Sequence, residues 1–242
     1  MNVGNPSRTL ALAEAGRAEY LPVDDKSWEQ GVNPQLSLRI RHSTNNQPQE
    51  KVTSEPLFIS SSTNIEAAPF ARLGQTSHLL SLVLTHIQDR GYDPTLRLEE
   101  AQQLNKALLA LCTFLKREVS NEATRICVPI ATCYSALMLL YEHCRKAGQG
   151  VYPLSAEIEL QELGTSRVSA LVPDVVVFAG HVQMILPYNT DQASPLVAHC
   201  FYRGAVLALK NLTPECAKVF GYMKETLRIL GCRWGVAREK QP

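Results

Sequence analysis

Between Pro69 and Leu230 apolar residues return every three or four positions in six successive stretches, and no apolar–polar alternation persists there. That period is the period of a helix buried on one side; a half-buried strand alternates with period two. The first stretch places Phe70, Leu73, Ser77, Leu80, Leu84 and Ile87 on one face. The second repeats through Leu98, Ala101, Leu104, Leu108, Leu111 and Leu115, with Asp93-Pro94 supplying a cap and a first-turn proline. The third runs through Ile126, Ile130, Tyr134, Leu137, Leu140 and Cys144 and stops near Gly148. The fourth starts near Ser155 and carries Val168, Leu171, Val175, Phe178, Val182 and Ile185, with Pro173 expected to kink or split it. Ser194-Pro195 opens the fifth, with Leu196, Val197, Phe201, Val206 and Leu209. Thr213-Pro214 opens the sixth, with Val219, Met223, Leu227 and Leu230. Val175 to Val177 could make a buried strand, but nothing else offers it a partner. The predicted fold is all-α, an irregular bundle of about six helices over residues 66–242.

Residues 1–65 differ. Pro6, Pro22, Pro34, Pro48 and Pro56 interrupt them, and His42–Glu55 and Ser60–Asn64 are polar. No period persists, so this stretch reads as an irregular, partly disordered arm. Its apolar piece, Tyr20-Leu21-Pro22-Val23 with Trp28, is expected to dock, over about residues 20–31.

Charge bears on partners. Lys and Arg number 24 against 23 Asp and Glu, and no basic run stands out. Release of counterions by clustered basic side chains drives nonspecific DNA affinity, and that source is missing. No direct nucleic-acid binding is therefore expected. The apolar window Val168–Leu186 contains Pro173, Asp174, His181 and Gln183. An Asp near the centre of a membrane helix costs roughly 2.5–3.5 kcal/mol, so the window reads as a buried helix of a soluble domain and no membrane contact is expected.

Cys112, Cys127, Cys133, Cys144, Cys200, Cys216 and Cys232 contain no C-x-x-C pair. Short-spaced thiolates are what hold a structural zinc ion. Cys127 and Cys133, six apart, are separated by ~600° of helical rotation and do not face each other. In the absence of a secretory leader these read as free, mostly buried thiols. His78 and His86 lie eight apart on one predicted helix, too far for one ion, while His181 and His199 sit singly among apolar residues and read as hydrogen-bonded core residues. Neither a G-x-S-x-G elbow nor a phosphate-cradling glycine loop occurs. The one acidic cluster, Asp24-Asp25-Lys26-Ser27-Trp28-Glu29, invites comparison with the magnesium-binding aspartates of helical terpene synthases. That chemistry needs carboxylates on a cavity-facing helix and a second metal-binding segment opposite. Here the cluster follows Pro22 in an irregular arm and has no such partner downstream. No catalytic, cofactor, metal or DNA-binding residue is assigned, and no enzymatic activity is expected. A terpene-synthase-like enzyme and a generic helical scaffold stand as the alternatives.

Several segments, in order, look like one known family. Leu21-Pro22-Val23-Asp24-Asp25, then Trp28 and Gly31, form one. Ala71-Arg72-Leu73-Gly74-Gln75 leading to His86 forms a second, and Glu100-Ala101 with Leu104 and Leu109-Ala110-Leu111 a third. Arg233-Trp234-Gly235-Val236-Ala237 closes the series. Over roughly residues 18–238 the chain resembles the fungal-specific transcription factor domain, the regulatory middle region of fungal zinc binuclear-cluster transcription factors. The resemblance implies the second half of that region, all helical and nuclear. It would act on transcription through a related transcription factor or a cofactor protein, as a homo- or hetero-oligomer. Members bind zinc in a six-cysteine DNA-reading cluster whose spacing is absent here, so neither zinc nor DNA contacts carry over to any residue, and the family has no catalytic residues to transfer. The expected protein is a regulator fragment or truncated regulator. Lacking the first half of the region, it should expose apolar faces and be prone to association.

Overall fold

The structure, a computed structural model, describes residues 69–89, 91, 93–118, 123–149, 152–185, 194–210 and 214–234. Six helices order the described residues: α1 Pro69–Gln88, α2 Pro94–Glu118, α3 Ala123–Cys144, α4 Ser155–Ile185, α5 Pro195–Lys210 and α6 Pro214–Trp234. No strand occurs among them, and Val175–Val177 is helical. The all-α expectation holds. The chain divides into two compact units, residues 1–78 and 79–242. The N-terminal arm, its boundary at 65/66 and the segment 20–31 lie outside the described residues.

Of the first unit, residues 69–78 are described, all within α1. Ala71, Arg72, Gln75 and Thr76 are buried while Phe70 and Ser77 are exposed, so the buried face is turned from the predicted one. Arg72 Nη1 donates to Gln75 Oε1 at 2.9 Å. The apolar residues of this helix run around most of its circumference, and periodicity alone does not single out a side.

The second unit is built around α3. From Ile130 to Met138 every residue is buried, and the helix packs on α2, α4 and α5. A helix apolar all round belongs inside. Helix α2 lies antiparallel to α3, joined by Arg97 to His143 at one end and Tyr141 to Asn105 further along. The six predicted apolar positions of α2 are all buried. Asp93 caps it as expected: Thr95 N–H donates to Asp93 Oδ1 at 2.9 Å, and Pro94 fills the first turn, where its missing N–H has no helical partner to lose. The rings of Tyr134, Phe178 and Phe201 then run across α3, α4 and α5 with centroids 5.5 and 5.4 Å apart. Helix α6 packs on α5 and α4, and Met223 and Leu230 are its buried anchors. On α5, Val197 and Phe201 are buried as predicted, but Leu196 and Leu209 face outward.

Two helix ends follow their local chemistry. Gly148 (φ 69°) closes α3 in the left-handed conformation that glycine adopts without a Cβ penalty, after Lys146 and Ala147 N–H bond back to the His143 and Cys144 carbonyls. At the start of α4, Glu157 Oε2 accepts from the Leu154 N–H at 2.9 Å, half of a capping box. Pro173 does not split α4, which is continuous from Ser155 to Ile185. Pro173 and Ser169, whose carbonyl loses its helical donor, are both exposed, which puts the freed group on the solvent side of the helix.

Buried polar pairs bind α2 to α3. Tyr141 Oη donates to Asn105 Oδ1 at 2.5 Å, both residues buried, and burial pushes the Tyr141 phenol up to about 12. Tyr141→Phe removes the donor and leaves the Asn105 carbonyl stranded, an expected loss of about 1–3 kcal/mol. Urea unfolding checks it. Adding Asn105→Leu should recover part of the loss, because replacing both partners removes the stranded group.

Candidate functional site

Titratable side chains from three helices meet where the C-terminal ends of α1 and α3 approach the start of α2. His86 Nδ1 donates to Glu100 Oε2 at 2.6 Å, since a carboxylate only accepts. His86 is 2% exposed, and its Nε2 is buried without a hydrogen-bond partner. Its ring stands edge-on to His143, with centroids 5.7 Å apart. Arg97 Nη2 donates to His143 Nε2 at 2.9 Å, which fixes that nitrogen as the unprotonated one. Burial first, then the charges of Arg97, His86 and Lys146, pull His143 down to about 4. The geometry orients two imidazoles and keeps one neutral. Arg97 and His143 are partly open to solvent, and Glu100 has its side chain 44% accessible.

The other histidines and the thiols offer less. His181 is half-buried, with Nε2 enclosed and unpaired, and so is not the hydrogen-bonded core residue expected. His199 is exposed rather than buried and accepts from Arg203 Nε at 3.4 Å. Cys112, Cys133, Cys144 and Cys200 are buried free thiols, as the sequence suggested, and Cys127 is buried as well. Burial holds Cys127 up at about 11 and Cys144 and Cys200 at about 12, so none is thiolate at neutral pH. Cys216, Cys232, Asp24, Asp25 and Glu29 lie outside the described side chains. Among the described residues no group of three His, Cys, Asp or Glu could hold a metal ion. A small cavity where α3, α4, α5 and α6 meet is lined by Met138, Leu171, Val175, Gly204, Leu207 and Met223, all apolar. It has no polar group to orient a ligand.

The surface carries the remaining signal. Helix α4 buries Val168, Leu171, Val175, Phe178 and Val182 on its inner side, as predicted. Its outer side is apolar too: Ala170, Pro173, Val177, Gly180 and Met184 follow one another at helical spacing. Val177 is 74% exposed and Met184 68%. Lys116 Nζ bonds Asp174 Oδ2 at 2.6 Å, so the one acid in this half is paired. By length and composition alone α4 could cross a membrane, and only 33% of its most apolar window is buried. The expectation of a buried helix thus holds for one face and not for the other. The sequence signal for this second face was present: between Val168 and Ile185 no side lacks apolar residues.

The segments carrying the family resemblance fall in known places where they are described. Ala71 to His86 lies in α1, Glu100 to Leu111 in α2, and Arg233-Trp234 ends α6. Compared with known proteins, the chain matches no family model, no curated protein and no solved structure.

Proposed function

We propose that this chain is a helical protein-interaction module that regulates transcription in the nucleus, of the kind the fungal transcription factor domain represents. It acts by contact with a related transcription factor or a cofactor protein and reads no DNA itself. The observation that carries the reading is the outward apolar side of α4, on a helix whose inner side is already spent in the core. Contiguous exposed apolar surface rimmed by polar residues marks protein contact sites. The order of the family-like segments supplies the regulatory context, and the balanced charge supports a protein rather than a nucleic-acid partner.

The test is made in the native host with a tagged full chain. Nuclear accumulation of the chain, and changed transcript levels when its gene is deleted, are the expected results. Exclusion from the nucleus together with an unchanged transcriptome would overturn the reading.

A further inference from the structure

We propose that the outer side of α4 is a docking track for one amphipathic helix of a partner protein, apolar along one stripe and rich in Lys or Arg at one end. The proposal rests on the interaction-module reading and names the partner's chemistry.

The track has two halves. Ala170, Pro173, Val177, Gly180 and Met184 make the apolar half, and fourteen residues of helical rise give it a length of about 21 Å. That matches an incoming helix with anchors at i, i+3 or i+4, and i+7, the usual spacing for a helix laid on an apolar face. A Cβ added at Gly180 would meet nothing within 4 Å, so the backbone there is open to close approach. Toward the N-terminus the same side carries exposed Glu159 and Glu162. Arg167 lies off this line and acts on the Tyr141 phenol of α3. An apolar stripe continued by carboxylates is complemented by an apolar helix continued by basic side chains.

Area and charge separate this occupant from two others. The exposed stripe comes to roughly a few hundred Å², against about 800 Å² per partner in a stable complex. That suits a transient helix contact better than a dimer of this chain. Parallel pairing with a second copy would set Glu159 and Glu162 against themselves, and antiparallel pairing would leave both acidic ends unmatched. A membrane surface with anionic lipid would be repelled by the same glutamates, and spanning would strip Val168, Leu171, Val175 and Phe178 from the core.

The probe is a fluorescent synthetic peptide, hydrocarbon-stapled as a helix, with leucines at the i, i+3, i+7 spacing and lysines at one end. Its twin has glutamates in place of the lysines. Anisotropy with the full chain should show the lysine peptide binding at least tenfold tighter than its twin. Val177→Glu should weaken that binding at least tenfold without lowering thermal stability, because the side chain is already exposed. The double variant Glu159→Lys/Glu162→Lys should reverse the preference between the two peptides. Equal binding of both peptides, or binding unchanged in Val177→Glu, would overturn the proposal. So would a wild-type dimer that Val177→Glu converts to monomer, or co-sedimentation with phosphatidylserine vesicles that Val177→Glu abolishes. Failure of the peptide with the transcript effect intact would remove this surface and leave the regulatory function standing. Peptide binding with an unchanged transcriptome would do the reverse.

Discussion

Gly164→Ala destabilises the bundle, by about 1–3 kcal/mol, although alanine is the better helix former by ~1 kcal/mol. Gly164 is buried on α4 against the last turn of α3. An added Cβ would lie 2.7 Å from the Tyr141 carbonyl oxygen, 2.7 Å from the Arg145 amide nitrogen and 2.9 Å from Arg145 Cγ. Contact between such atoms is comfortable only near ~3.5–4.0 Å. Two of the three obstacles are backbone, joined to each other by the 3.0 Å hydrogen bond that ends α3. They cannot swing aside as a flexible side chain would, so the N-terminal turns of α4 must lift from α3, or that hydrogen bond must break. The control is on the same helix. Gly180 has open space where its Cβ would be, and Gly180→Ala should stabilise by up to ~1 kcal/mol through helix propensity and a less mobile unfolded chain. Urea midpoints moving in opposite directions for the two substitutions would establish the close approach. A gain for both would mean that α3 and α4 do not meet at Gly164.

The contrast between these glycines shows what can be read from a sequence of this type. Gly164 follows Leu163 within an otherwise polar stretch, Gln161 to Ser166, and an isolated glycine inside a helical pattern hints at close packing. Which backbone it touches depends on how two helices far apart in the chain cross. The inner face of helix α2 was legible, because Glu99, Gln102, Gln103 and Lys106 mark an outer side by their polarity and Leu98, Leu104, Leu108, Leu111 and Leu115 the inner one. Helix α1 was not: Leu79 to Leu84 surround the axis, and Phe70 is exposed where the period put it inside. In α4 the period found the inner face and missed the outer one, since an apolar helix surface looks the same whether core or partner covers it. The polar cluster could not be read at all. His86 and Glu100 are brought together by the turn between α1 and α2, and Arg97 and His143 by the antiparallel packing of α2 on α3.

That last pair makes the bundle acid-labile in a defined window. His143 is half-buried and held down to about 4 from an ordinary value of 6.5, by burial first and then by Arg97, His86 and Lys146. The unfolded chain therefore takes up this proton before the folded one does. Stability is whole above pH 6.5 and is lost as the pH falls toward 4; the full shift would be worth about 3.4 kcal/mol at ~1.36 kcal/mol per unit, and solvent screening of this half-buried ring keeps the loss well below that. The structural reason is specific. Arg97 donates to His143 Nε2, so a second proton on the ring must evict a permanently charged guanidinium from its acceptor. From α1 the His86 ring faces it, from α2 Arg97 with Glu100 behind, and from the turn after α3 Lys146. Protonated His143 would thus stand among cations, and the Glu100 carboxylate is already engaged by His86. His199, exposed at its rim but partly screened from water by its neighbours, is also lowered by that desolvation and by Arg203. It adds a slope of the same sign and sets a background that remains in every variant. His143→Gln keeps an acceptor for Arg97 and cannot titrate. Its urea midpoint should fall less than that of the wild type between pH 6.5 and 4.5, while the two should agree closely at pH 7.5. Parallel curves for the two proteins, or an NMR titration placing His143 near 6.5, would show that Arg97 and the packing around it exert no hold on this imidazole.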